Sequence, residues 1–164
     1  MKKLLFVLCM TVLSYAGFSQ EVSSKELVLW NNTLYMQKLY VSFKTIKVDG
    51  VETRDTTVTF FARNNKYRAL NEIFRIHHCS KDEFAKFIKE VKSFHDEKKD
   101  KLENNMEETK YLDVDKEFSI SISKQYGMIA ININNSKGYH TFRSAQLMKI
   151  FDKYMNWYNK SLNK

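Results

Sequence analysis

The sequence predicts an α+β protein. It reads as an antiparallel sheet of about six strands in two hairpin-based blocks, with two amphipathic helices packed on one face. Three observations carry this reading. Strand-like alternation flanks an Asp-Gly pair at residues 49 and 50. A second alternation runs from Phe118 to Ile133. Two further stretches, 84–94 and 147–157, repeat apolar residues at helical spacing. The 164 residues hold 4 Gly, no Pro and 2 Cys, and 43% are hydrophobic. Such a chain is too apolar for disorder and too poor in cysteine for a disulfide scaffold. Its length fits about one domain.

The N-terminus comes first. Lys2 and Lys3 precede an apolar run from Leu4 to Leu13, and small residues follow at Ser14, Ala16, Gly17 and Ser19. The run is far shorter than the ~20 residues that span a bilayer. The layout is that of a secretory signal peptide over residues 1–19, cut after Ser19 to leave Gln20 first. Residues 20–164 then read as a single α+β domain. That segment keeps one cysteine, Cys79, which packs most naturally as a small buried hydrophobe. The expected location is secreted or periplasmic, in a bacterial envelope or outside the cell.

Residues 20–33 read as a polar, mobile lead-in. Leu39, Val41 and Phe43 alternate, as do Val58, Phe60 and Ala62, around Val48-Asp49-Gly50-Val51. Asp-Gly between strands favours a type I′ turn, because both central residues need positive φ. Paired residue numbers should then sum to 99. Leu39 faces Phe60, Val41 faces Val58, Lys47 meets Glu52 and Lys44 meets Asp55. Residues 64–79 fit either period, with Leu70, Ile73, Phe74 and His77 helical and Phe74, Ile76 and His78 strand-like. We read them as a bent third strand, because Ser80 and Glu83 form a capping-box pattern for the helix that follows. Phe84, Phe87, Ile88, Val91 and Phe94 make its apolar face. Residues 96–117 are highly charged and read as a solvated connection.

In the second block Phe118, Ile120 and Ile122 alternate with Ser119, Ser121 and Ser123. Gly127 sits in a turn, and Ile129, Ile131 and Ile133 alternate next. Residues 134–138 form a loop, residues 139–143 a short strand, and Ser144 a candidate cap for the last helix. Its apolar face runs through Leu147, Ile150, Phe151, Tyr154 and Trp157. The two helices align at an offset of 63 residues. That fits either an internal duplication or two unrelated helices with the same job.

Chemistry is sparse. His77-His78-Cys79 is the one metal-like cluster, and His77 and Cys79 are its candidate ligands for zinc or copper. His95 lies about 22 Å along the following helix and does not converge with them. There is no Gly-x-Ser-x-Gly, no Gly-rich phosphate loop and no His-Glu-x-x-His. No cofactor motif occurs, and the carboxylate pairs fall at a helix start or in polar linkers. The balance is non-enzymatic. Trp30, Tyr35, Tyr40, Tyr111, Tyr126, Tyr139, Trp157 and Tyr158 are not all absorbed by core faces. Tyr40, Lys44 and Tyr139 are the candidate binding surface, and exposed Tyr beside basic residues suits protein or carbohydrate ligands. The net charge of +8, spread along the chain, suits acidic partners. The expected function is an exported binding protein with a protein partner. A glycan or an anionic membrane surface is the alternative, as is a small metal protein or enzyme at His77 and Cys79. Nothing points to nucleic acid, and no oligomeric state follows.

Overall fold

The structure is a computed structural model and describes residues 20–67, 72–112 and 118–163. Residues 1–19, read from the sequence as a signal peptide, lie outside the described residues, as do Leu70 and the polar stretch 113–117. The elements run β1 (Gln20–Asn32), β2 (Gln37–Val48), β3 (Val51–Arg63), β4 (Ile73–Ser80), α1 (Lys81–Lys98), β5 (Glu107–Tyr111), β6 (Ser119–Gln125), β7 (Met128–Asn135), β8 (Gly138–Arg143) and α2 (Ser144–Leu162). Strands β1-β2-β3-β4 form one antiparallel sheet and β5-β6-β7-β8 a second. The class is α+β as expected, with two sheets and eight strands where about six strands were expected.

The two additional strands have a shared cause. Residues 20–32 are not a mobile lead-in but the edge strand β1. Glu107–Tyr111, read as connection, is the edge strand β5. An edge strand need bury neither face, so its sequence carries no apolar alternation. On β5 the side facing α1 is charged: Glu108 pairs with Lys98 at 2.7 Å and Lys110 with Glu90 at 3.9 Å. Charged edges of this kind also discourage further strand pairing.

The chain divides into two compact units. The smaller holds, among the described residues, 20–25 and 43–55. Its turn is as expected: Asp49 and Gly50 have φ of 51° and 81°, and β2 ends and β3 begins on either side of them. The Thr53 hydroxyl donates to the Ile46 carbonyl at 3.2 Å. The expected Lys47–Glu52 pair gives way to one within β3, where Arg54 Nε donates to Glu52 at 2.7 Å. A partner two residues along the same strand lies on the same face and needs no cross-strand reach.

The larger unit holds residues 26–42 and the described residues from Thr56 onward. Leu39, Val41, Val58 and Phe60 are fully buried, as their alternation requires. So are Ile120, Ile122, Ile131, Ile133 and Phe142 of the second sheet. Helix α1 contacts β4 and β6, α2 contacts β7 and β8, and the helices contact each other. The Phe60 ring lies 6.1 Å from Phe84 of α1, 5.6 Å from Phe142 of β8 and 6.4 Å from Phe151 of α2.

Ser80 caps α1 with the full reciprocal box: Glu83 N–H donates to Ser80 Oγ at 3.3 Å, and Ser80 N–H donates to the Glu83 carboxylate at 3.0 Å. Ser144 does not repeat this. It is the first helical residue of α2, and Arg143 takes the cap position with no side-chain bond. The apolar stripes match across the 63-residue offset at four of five positions, failing at the last, where Phe94 is buried and Trp157 half-buried. Phe84, Phe87, Ile88 and Val91 are buried, as are Leu147, Ile150, Phe151 and Tyr154. The order is therefore four strands and a helix, twice over.

Strand β4 carries a bulge. Phe60 pairs with His77 and Phe61 with Arg75, leaving Ile76 as the extra residue. A bulge flips strand parity. Phe74 and Ile76 are buried before it, and His77 and Cys79 are half-buried after it, while His78 is exposed. The strict alternation Phe74-Ile76-His78 therefore fails at its last member.

Between β3 and β8 the joint is polar. Asn64 is buried. It donates through Nδ2 to the Lys137 carbonyl at 3.2 Å and accepts from Tyr139 N–H at 3.4 Å and from Lys66 N–H at 3.1 Å. A Cβ at Gly138 would overlap the Asn64 side chain.

Phe60→Ala should destabilise the protein by about 3–5 kcal/mol, and Ser80→Ala by about 1 kcal/mol. Urea unfolding followed by circular dichroism measures both.

Candidate ligand-binding face

The second sheet buries one side and opens the other. Even-numbered residues of β6 and β8 and odd-numbered residues of β7 point into the core. The outward residues form a lattice, fixed by the strand register, of three rows across four strands, with Gln125 of β6 and the exposed Met128 of β7 paired beyond the third row. The first row is Tyr111, Ser119, Asn134 and Tyr139. The second is Thr109, Ser121, Asn132 and Thr141. The third is Glu107, Ser123, Ala130 and Arg143. Only Ala130 in this lattice is aliphatic.

The lattice has relief. Ser119 and Ser121 are 8% and 2% exposed, because short side chains sit below longer neighbours. Tyr111 and Tyr139 stand at opposite ends of the first row, 52% and 38% exposed. Three strand spacings separate them, about 14 Å. Asn132 Nδ2 donates to Ser121 Oγ at 3.4 Å, and Asn132 Oδ1 has no partner. The result is a shallow trough floored by hydroxyl and amide groups between two tyrosines.

Two clefts flank the β8 margin of this face. One, of about 410 Å³, is lined by Tyr35, Gln37, Ala130, Thr141, Phe142, Arg143 and Gln146. The other, of about 350 Å³, is lined by Leu34, Tyr35, Arg63, Asn65, His140 and Thr141. Tyr35 and Thr141 belong to both.

A buried polar chain stiffens the wall between them. Gln146 Nε2 donates to Gln37 Oε1 at 2.9 Å. Gln37 Nε2 lies 3.1 Å from His140 Nε2, and His140 Nδ1 lies 2.6 Å from the Arg63 carbonyl. A carbonyl only accepts, so Nδ1 carries the proton and Nε2 accepts from Gln37. Every group in the chain then has one role, and His140 is neutral. Burial holds its pKa below the usual histidine value, against the opposing bond to the Arg63 carbonyl.

The sequence-derived candidates do not all meet here. Tyr139 lies in the first row. Tyr40 lies on the first sheet, its ring 6.2 Å from Phe61 with the Lys38 ammonium 4.6 Å above it. Lys44 is exposed in the smaller unit. The His77 ring lies 5.8 Å from Phe84, 4.7 Å from Phe87 and 5.4 Å from Phe118. Desolvation lowers its pKa, with Glu83 opposing. Burial, aided by Glu83, pushes the Cys79 thiol up to about 12. That leaves it a poor thiolate donor at neutral pH. His95 bonds to Asp96 at 3.2 Å at the far end of α1. Among the described residues no three His, Cys, Asp or Glu side chains converge as a metal group, and no helix is long and apolar enough to cross a membrane.

Gln37, Arg63, Asn132, Thr141, Arg143 and Gln146 were not singled out by the sequence. The Ser119-Ser121-Ser123 alternation was visible and is the one local signal of the lattice. No protein-family model matches the chain, and no curated protein or solved structure is significantly similar to it.

His77 and His140 both have pKa values below 6.5 in the fold. The unfolded chain takes up these protons first, so their contribution is complete above about pH 6.5 and is lost as pH falls through the lowered folded values. Calorimetric Tm should therefore drop from about pH 7 to about pH 5, and His77→Phe should reduce that slope.

Proposed function

We propose that this is an exported, non-enzymatic binding protein of a bacterial envelope or exterior, and that the open β5–β8 face recognises a polar oligosaccharide. The observation that carries the reading is the lattice between Tyr111 and Tyr139. Its hydroxyl and amide groups offer donors and acceptors in a fixed array. Its tyrosines offer rigid aromatic surface with a polar tip. An apolar protein interface would place several aliphatic side chains here; the three rows hold one alanine, with Met128 at their border. The secretory pattern of residues 1–19 supports export to a compartment where glycans are abundant. Aromatic contacts about 14 Å apart span a short oligosaccharide.

A second observation favours a protein partner at a different place. Strand β1 is an edge strand, with Leu27 and Val28 39% and 47% exposed. An extended segment of a partner could add to it by backbone pairing. Leu27→Lys with Val28→Lys would block that mode and leave glycan binding unchanged.

The test is a panel of purified oligosaccharides assayed by calorimetry. The double variant Tyr111→Ala, Tyr139→Ala should weaken the bound sugar by about tenfold or more while keeping the wild-type unfolding midpoint. Unchanged affinity in the double variant removes the face from recognition.

A further inference from the structure

We propose that the paired clefts beside β8 form an anion subsite, in which Arg63 and Arg143 hold the carboxylate of an acidic sugar. This deepens the oligosaccharide reading and rests on it. Arg63 is half-buried, its Nε is shut off from solvent, and no acceptor in the protein reaches that nitrogen. A ligand in the second cleft, which Arg63 lines, would meet the rest of that guanidinium and not the enclosed Nε. Arg143 is exposed at the mouth of the neighbouring cleft. Among the described residues neither arginine forms an ion pair, and no carboxylate lines either cleft. The Glu72 carboxylate reaches Asn64 at 3.5 Å instead.

The Arg63 side of the subsite is fixed from inside. His140 donates to the Arg63 carbonyl and so tethers the backbone that carries this guanidinium. Being neutral, His140 adds no competing charge. Thr141 belongs to both clefts and also to the second lattice row. A sugar ring over the lattice would therefore reach the clefts without a gap. Guanidinium groups bind carboxylates through two parallel N–H···O bonds, which suits a uronic acid better than a neutral hexose. The positive balance of the chain, 27 Lys and Arg against 19 Asp and Glu, favours the approach of such a ligand.

The experiment titrates the 15N-labelled protein with galacturonate and glucuronate and, separately, with galactose and glucose. At least one uronate should shift the Arg63 Nε–H resonance and the Thr141 and Arg143 amides. Neutral hexoses should shift only the amides of the lattice rows. Arg63→Gln and the exposed Arg143→Gln should each raise the uronate Kd by about tenfold and leave the neutral hexose shifts in place. Lys89→Gln, which removes one charge from the exposed side of α1, should change nothing. Neutral hexose shifts without uronate shifts at Arg63 would overturn the subsite and leave the oligosaccharide face standing. An equal loss in Lys89→Gln would overturn it as well, by showing general charge attraction. Silence with all four sugars would overturn both the subsite and the reading on which it rests.

Discussion

The fully buried ring of Phe60 meets one residue from each of three other elements: Phe84 of α1, Phe142 of β8 and Phe151 of α2. It is the point at which a strand of the first sheet, a strand of the second and both helices share one packing contact. Dense interiors do not deform smoothly, so a change at such a node propagates to every element that touches it. The position of β8, and with it the clefts and the last column of the lattice, depends on this contact. Gln37 and His140 sit near it in sequence and strand order, two residues before Leu39 and two before Phe142. The polar chain through them is thus flanked by apolar core at both of its middle members.

That polar chain shows how a buried network can be acceptable. Gln146, Gln37, His140 and the Arg63 carbonyl form a single donor-to-acceptor series with no ambiguous member. A satisfied network of this kind rigidifies the structure around it, whereas an incomplete one would be worse than apolar packing. The contrast with Arg63 Nε is informative. The same residue has its carbonyl bonded and one guanidinium nitrogen left without a partner. Order inside the wall and a guanidinium lining the cleft beside it are what a preorganised recognition site requires.

Much of the fold was legible because the responsible rules are local. Asp49-Gly50 encodes its turn in two residues, Ser80 and Glu83 encode a cap in four, and both helical stripes repeat within three turns. The edge strands β1 and β5 were not legible. Their side chains answer to solvent and to ion pairs such as Lys98–Glu108, not to a core. The bulge at Ile76 also escaped, since one inserted residue reverses parity without any change in composition. For the candidate site, Tyr139 and the serine alternation were visible in one strand. The lattice itself needs the register of four strands. The clefts gather residues from 34–37, 63–65 and 140–146, which nothing local connects.

The joint at Gly138 has a bearing on how this surface can change over time. The Asn64 side chain fills the space that any larger residue at 138 would need. The β7–β8 turn therefore cannot be lengthened or decorated freely at its last position, as surface hairpin turns usually can. The exposed lattice positions, such as Thr109, Tyr111, Tyr139, Thr141 and Arg143, are under less constraint, because each alternates with a residue on the opposite face and points away from it. Diversification in descendants of this chain should accordingly accumulate across the rows of the sheet, with the turn that frames them held still.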